Sequence, residues 1–494
     1  PLSLPRQCLP HRHSIINAQI IPRWEIQSIS FKENVIMTAT VTYSFKSNLL
    51  QSLKTNVLDG QDNYYLAIGR SDVWNATDTP PVTSDSDIAA FSFVQTTRHS
   101  LMSYKRVFGA SLVIPRVNWT SGTTYYAYSD QLSEINVAAN PYYVMNDNLR
   151  VYVCLEQAKN SIGATIPSTV KPTGVVSKPF TTSDGYVWQY LYQVGPGDAN
   201  SFMTSNFIPV QHIATDDAAI SAVEVEQKKL QDSAVSGAIL GVEVLSQGSG
   251  YTGTVTFNFS EDGVGAAASA NLSGGTITHV KLDSDNAGNI LNGSGYRNSA
   301  VTVVGTGNGA TVRAVLGPSA GVSEDPTKTL RCDALMFHSD FENTENNTIL
   351  SENDFRQVAL IKNPKEYNSV LNTDFTNQSG NAMQKLQFSS VTNNFLSDRV
   401  IVGQTSGAKA YLVHYDTVAW IYQNQTTGFT PFNAGETISA EEGVGSGSGT
   451  LLAVGGIVAP DVDIYSGDMI YINNIAAVTR DPNQTEDVKV VIKL

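Results

Sequence analysis

Tyr186, Trp188, Tyr190 and Tyr192 recur at every second position, launched from the turn Ser183-Asp184-Gly185. Period two sends successive side chains to opposite faces of a strand. Four large rings are therefore expected on one face, with Val187, Gln189, Leu191 and Gln193 on the other. Upstream, Tyr142-Tyr143-Val144-Met145 and Leu149 to Glu156 flank Asn146-Asp147-Asn148, residues that tolerate tight-turn dihedrals, which predicts a hairpin. Both features lie in residues 119–192, where Trp119, Tyr125, Tyr126, Tyr128, Tyr142, Tyr143, Tyr152 and Phe180 bring the aromatics to 12 in 74 positions, nearly twice the chain-wide 9%. Such a stretch builds either a dense sheet core or a core with some rings turned outward as a docking surface.

The rest of the chain suits a β-rich assembly part. Its 494 residues suggest about three domains. Charged residues are only 15%, below the roughly 25% of ordinary domains, so much of the polar surface is uncharged Gly, Ser, Thr and Asn. A net charge of −14 argues against a nucleic-acid groove, which needs a basic stripe. No apolar run approaches the roughly 20 residues of a membrane span. Cys8, Cys154 and Cys332 are too few and too scattered for a disulfide framework or metal knuckle, and Cys154 is expected in the core. These features are those of a chain made in a reducing compartment.

Residues 1–36 lack clear periodicity. Met37-Thr38-Ala39 would serve as a start, and Lys32-Glu33 can be encoded as the ribosome-binding sequence AAG-GAG, so 1–36 are expected to be a translated leader, with an N-terminal arm as the alternative; an intact mass that includes them would exclude the leader. Beyond Met37, Phe45, Leu49, Leu50, Leu53 and Val57 predict a helix stopped at Gly60, and Tyr64–Gly69 a buried strand. Asp72 to Pro81 is a loop carrying Trp74. A helix is expected from Ile88 to about Val107, capped near Ser84, Asp85 or Ser86. Arg98, His99, Lys105 and Arg106 would form on it a rare basic face, solvated or in contact with an acidic neighbour. Another helix is expected over Asp216 to Asp232 with Thr215 at its cap, and Phe355 to Pro364 as a strand after an acidic loop, Ser339 to Asp354.

Between 238 and 317 the sequence repeats itself. Gly248-Ser249-Gly250-Tyr251 returns as Gly293-Ser294-Gly295-Tyr296, and Gly263-Val264-Gly265-Ala266 as Gly307-Asn308-Gly309-Ala310, both about 45 residues apart. Each unit reads as two or three strands with glycine turns plugged by Tyr251 or Tyr296. Neither has the strand-to-helix context of a nucleotide cradle. Asp283 to Gly288 opens like a calcium loop but lacks an oxygen ligand at Ala287 and a Glu at Ser294, so it is expected to be a turn. A second glycine-rich module, 393–457, echoes Phe395 and Val402–Ala408 in Phe432 and Ala434–Ile438 and suggests a small barrel or sandwich. Two strands close the chain, with Arg480, Asp481, Gln484, Thr485 and Glu486 between them. The fold class expected is α+β and predominantly β: a multidomain chain with a mixed α/β core and inserted small β-sandwich or barrel modules.

Chemistry is sparse. His99, His212, His279, His338 and His414 stand apart from one another, and no His-Glu-x-x-His, Cys-x-x-Cys, Gly-x-Ser-x-Gly or Gly-Lys-Ser/Thr pattern occurs. No catalytic, cofactor-binding or metal-ligating residues are assigned, and no enzyme activity is expected. The alternative of a hydrolase stays open, and it would need a facing carboxylate pair roughly 5 to 9.5 Å apart.

The blocks Tyr64 to Trp74, Arg116 to Tyr128, Tyr142 to Leu155, Lys178 to Tyr192, Phe355 to Pro364 and Tyr465 to Val490 resemble the dimeric baseplate wedge subunit of T-even-like contractile-tailed phages, most of all its longer versions in phages of cyanobacteria. The resemblance covers roughly 37–235, 319–392 and 458–494; residues 236–318 and 393–457 look like insertions. It implies a non-enzymatic virion protein, assembled in the host cytoplasm into the tail baseplate. Such a protein pairs with a second copy of itself and with other wedge or tail proteins, and takes part in the rearrangement that triggers sheath contraction. No nucleic acid, cofactor or membrane insertion enters that picture. Obligate interfaces are apolar and aromatic at their centres, so Trp74, Trp119 and Trp420 are interface candidates, with Arg98, Lys105 and Arg106 as the basic ones. The alternatives are a glycan-binding tail adhesin, favoured if Trp420 and Tyr422 are exposed in a groove, and a neck or tail-completion protein.

Overall fold

The computed structural model describes residues 42–82, 91–131, 139–218, 221–345, 348–441 and 447–494. The leader expected at 1–36, and the beginning of the helix expected from Ile88 with its caps, lie outside these residues. With 43% strand and 11% helix, the protein is a predominantly β, multi-sheet α+β structure, as expected.

Thirteen strands form the central sheets: β1 Tyr64–Gly69, β2 Leu101–Arg106, β3 Gly109–Pro115, β4 Tyr143–Met145, β5 Arg150–Glu156, β6 Phe180–Thr181, β7 Val187–Gln193, β8 Phe207–Val210, β9 Ala334–Glu342, β10 Asn353–Lys362, β11 Ser379–Asn381, β12 Asp468–Arg480 and β13 Thr485–Lys493. They make three antiparallel sheets, ordered β11-β2-β1-β10-β12, β13-β9-β3-β8 and β4-β5-β7-β6. The first two are joined three times over, because β2 runs on into β3, β9 into β10 and β12 into β13. Strand order therefore advances in parallel in both sheets, and β12 and β13 end up as edge strands on the same side.

The apolar residues that alternate along these strands meet in one large core. Tyr64, Leu66 and Ile68 of β1, Leu112 and Ile114 of β3, Leu335 and Phe337 of β9 and Val358 and Leu360 of β10 all pack there. The other face of β1 is covered too: Tyr65 and Ala67 pack with Tyr104, Ile361 and Phe375. All six residues of β1 are buried, as the unbroken apolar run implied.

The helix expected from Phe45 onward is α1, Tyr43–Leu58, capped by Thr42, whose side chain accepts from the Phe45 amide. Leu50 is fully buried, but Phe45 is exposed at 57%, so the buried stripe is narrower than the spacing suggested. The second helix is a correction. Among the described residues of that stretch only Phe91–His99 (α2) is helical, and residues 101–106 are β2, paired with β1 and β11. Leu-Met-Ser-Tyr fits either period, and two neighbouring ladders decide for strand. The helix expected over Asp216 to Asp232 is likewise shorter. A single turn at Asp216–Ala218 precedes a helix at Ala222–Asp232, whose cap is Ser221, not Thr215; Ser221 and Glu224 form a reciprocal capping box. The acidic loop expected from Ser339 begins only after Glu342, because β9 pairs with β13 along its whole length.

The four rings of the alternating strand do not all share a face. Tyr186, Trp188 and Tyr190 pack with Tyr125, Tyr152, Cys154 and Leu230. Tyr192 lies in the main core instead, because β7 carries an extra residue where Tyr190 pairs with Tyr152 and Tyr192 with Val151. Such a bulge inverts the alternation beyond it. The Tyr192 hydroxyl donates to the Pro209 carbonyl at 2.9 Å.

The two copies of the 45-residue repeat interlock. The first Gly-Ser-Gly-Tyr pairs with the second Gly-x-Gly-Ala (Ser249 opposite Asn308), and the second with the first (Ser294 opposite Val264). The plugging tyrosines obey the same exchange: the Ala310 amide donates to Tyr251 Oη at 3.3 Å and the Ala266 amide to Tyr296 Oη at 3.2 Å. A Cβ on Gly248 would lie 2.5 Å from the Ala310 nitrogen, and one on Gly293 2.5 Å from the Val264 carbonyl oxygen. Both glycines also have positive φ, so two constraints require glycine here. The second glycine-rich module is a closed six-stranded barrel: strands 418–422, 409–415, 399–403, 437–440, 448–451 and 384–393 pair in that order, and the last returns to the first. Leu386, Ile401, Leu412, Ile421 and Ile438 fill its interior.

Candidate assembly surface

The aromatic block is core. Of its twelve rings only Tyr126 is exposed, at 42%, whereas Tyr152, Tyr186 and Trp188 are fully buried. Edge and stacked contacts link them, Tyr125 to Trp188 at 5.6 Å and Tyr186 to Trp188 at 5.7 Å between centroids. Cys154 is buried in this cluster.

The three candidate tryptophans are each engaged within the chain. Trp420 is 6% exposed, and Lys385 Nζ sits 3.8 Å from its ring centroid. Trp119 is half-buried; its indole nitrogen donates to Ser168 Oγ at 3.2 Å and Lys171 lies over its ring. Trp74 is half-buried beneath Arg70 and donates to the Ile475 carbonyl at 3.0 Å. The basic residues form no shared face. Arg98, at the end of α2, is buried and donates to the carbonyls of Ile464, Ser466 and Gly467 at 2.6–2.7 Å. Lys105 is buried on β2 and paired with Glu345 at 2.6 Å, and Arg106 is half-buried beside the Thr376 carbonyl. Each cation thus holds neighbouring segments to the core.

Two titratable groups meet where β5 touches the glycine-rich module. His279 Nε2 lies 3.0 Å from Glu156 Oε1, both side chains largely buried. Burial pushes the Glu156 carboxyl up to about 7. Burial, with Lys159 and Lys281 nearby, pulls the imidazole down to about 4. Across the interval between those values the pair holds one proton.

Among the described residues, one long surface left open is the side on which β12 and β13 lie. β12 has 13 residues and β13 has nine, and among the described residues no strand pairs with the outer side of either. Their common turn is pinned by Arg480, which is fully buried. It pairs through Nε with Glu486 and donates to the carbonyls of Leu350, Phe341 and Asn343. Beyond that anchor the two strands part into different sheets and leave a groove of about 370 Å³, floored by Phe355 and Val358, walled by Tyr471, Ile475, Val478, Val488 and Val490, and edged by polar residues including Asn473, Gln484 and Thr485. The Trp74 indole caps a carbonyl of β12 where that strand bulges against β10. Bulges and charges are ordinary protection for an edge. Two long edges flanking a partly apolar groove also make a seat for an added strand, whose backbone pairs with the edge while alternate side chains fill the groove.

No family and no curated protein matches the chain. Among the described residues no helix is long and apolar enough to cross a membrane. Sequence reasoning placed β12 and β13 as strands but did not foresee the groove, which depends on their joining different sheets.

Proposed function

We propose that the protein is a structural component of the baseplate wedge of a contractile phage tail, bound to a second copy of itself and to neighbouring wedge proteins, and part of the rearrangement that triggers sheath contraction. The observation that carries the assembly role is the pair of open edges, β12 and β13, around a groove of mixed apolar and polar lining. The resembling sequence blocks name the assembly. They fall mainly on β1, β4, β5, β6, β7, β10, β12 and β13, whereas the interlocked repeats and the barrel lie outside them. Trp420 and Tyr422, whose exposure would favour a glycan adhesin, are both buried. Density for the chain in the tail tip of the intact particle, by cryo-EM, is the expected result. Density in the neck or a fibre, or particles lacking the chain, overturns the proposal, as does turnover of a substrate by the purified protein.

A further inference from the structure

We propose that His338, Asp340 and Asp487 bind a first-row divalent metal ion of the zinc type, clamping edge strand β13 to β9. No metal-ligand spacing is apparent along the chain; the register supplies the site. His338 and Asp340 stand two apart on β9 and so on one face, and Asp487 of β13 is the cross-strand partner of Asp340. Two carboxylates placed opposite each other on a ladder repel, yet here both turn toward one imidazole. His338 Nε2 is 3.1 Å from Asp340 Oδ1 and 3.0 Å from Asp487 Oδ1, and the three ligand atoms lie within 4.8 Å of one another.

Nε2 carries at most one hydrogen in any protonation state, so it can give only one of the two oxygens a full hydrogen bond. A cation between the three atoms serves all of them at once. Ligands about 2.0–2.1 Å from a zinc-like ion stand about 2.8–3.0 Å apart at 90° and about 3.3–3.4 Å apart at the tetrahedral angle, and the two separations from the imidazole fall between those limits. One imidazole and two carboxylates suit zinc, cobalt or manganese better than calcium, which takes oxygen ligands alone. His338 is 7% exposed, with the Phe202 ring edge-on at 5.9 Å, which fixes the imidazole. The Asp340 and Asp487 side chains are 37% and 46% exposed, leaving room for water to complete the coordination. Lys489, the cross-strand partner of His338, is the internal competitor: its ammonium pairs with the other oxygen of Asp487 and donates to the Asn200 carbonyl at 3.2 Å. Asp487 and Lys489 alternate along β13 with Val488 and Val490, which wall the groove, so the ion would sit on the opposite face of that strand and stiffen one of the groove's two edges. None of this depends on which assembly the protein joins.

The test titrates the full-length chain, freed of metal by chelation, with Zn²⁺ by calorimetry and with Co²⁺ by its visible d–d absorption. One equivalent is expected to bind. Asp487→Asn, at a half-exposed position that the fold tolerates, should weaken binding at least 10- to 100-fold, roughly the loss seen when even an outer-shell partner is removed. His338→Ala should abolish the nitrogen-ligated cobalt spectrum, and Lys489→Gln should bind more tightly than the wild type. Absence of saturable binding at one equivalent, or Asp487→Asn binding like the wild type, overturns the proposal.

Discussion

The aromatic sheet β4-β5-β7-β6 and the terminal pair β12 and β13 use strands in opposite ways. The first is rich in rings and spends them inward, with Trp188 and Tyr152 fully buried on one face and Val153 and Leu191 on the other. The second is built largely of β-branched and polar residues, most of them partly exposed, and among the described residues no strand pairs with the outer side of either. Aromatic density therefore marks where this chain is most closed. Openness comes from topology, because a strand is exposed when it is last in its sheet, whatever its side chains.

The largest effects should separate the two regions by the kind of residue each relies on. Trp188→Ala leaves a cavity inside the aromatic sheet and should destabilise the protein by about 3–5 kcal/mol in denaturant melts. The terminal pair should be as sensitive at one point only, Arg480. Arg480→Met strands Glu486, which is 8% exposed, without its cation, and removing one partner of a buried pair costs about 3–5 kcal/mol. If Arg480→Met melted like the wild type, the terminal strands would be held by their ladders alone, and the comparison would have to be redrawn.

A smaller effect is expected at the rim of the aromatic sheet, where Glu156 of β5 meets His279. Glu156 rises from 4.5 to about 7 on folding, so its contribution is full at low pH and is lost as pH rises through about 7. His279 falls from 6.5 to about 4, so its contribution is present above its unfolded value and is lost as pH falls through about 4. From pH 4.5 to 6.5 the unfolded chain holds its proton on the histidine and the folded chain on the glutamate, and the two slopes cancel. Each single variant exposes one slope. Relative to the wild type, Glu156→Gln should lose stability on acidification across that window and His279→Gln should lose it on alkalinisation, each by on the order of 1–3 kcal/mol. Parallel pH profiles for the wild type and both variants would show that the pair does not share a proton.

What could be read from the sequence follows the range of the interaction behind it. The hairpin 143–156, the buried run of β1 and the tyrosine plugs are local patterns, and they appear in the structure. Misreadings arose where a distant partner decided. Residues 101–106 became strand because two ladders flank them, and Tyr192 changed face because β5 imposed a bulge. Arg98 and Lys105, legible as a basic face, were drawn inward by carbonyls and by Glu345 from far along the chain. The repeat was legible but its exchange was not, since spacing does not tell which glycine turn meets which. His338 and Asp340 are visible as a period-two pair, whereas their junction with Asp487 rests on a register 147 residues away.

The last prediction concerns the smallest expected change in stability and bears most directly on the open edges. Ile475 is half-buried at the wall of the groove, and a lysine there can extend its ammonium to water while its stem covers the same apolar surface. Ile475→Lys should therefore change stability by about 1 kcal/mol or less and leave the monomer fold intact by circular dichroism. A strand seated between β12 and β13 would meet a charge where it needs an apolar pocket, and burying that charge unpaired is strongly unfavourable. On the baseplate role proposed above, incorporation into particles should then fail although the protein itself is sound, whereas Tyr126→Lys, at the one exposed ring of the aromatic block, should assemble normally. If both variants incorporate like the wild type, the groove is a protected edge and nothing more. If Tyr126→Lys alone fails, the contact surface belongs to the aromatic sheet after all, and the contrast between the two regions is reversed.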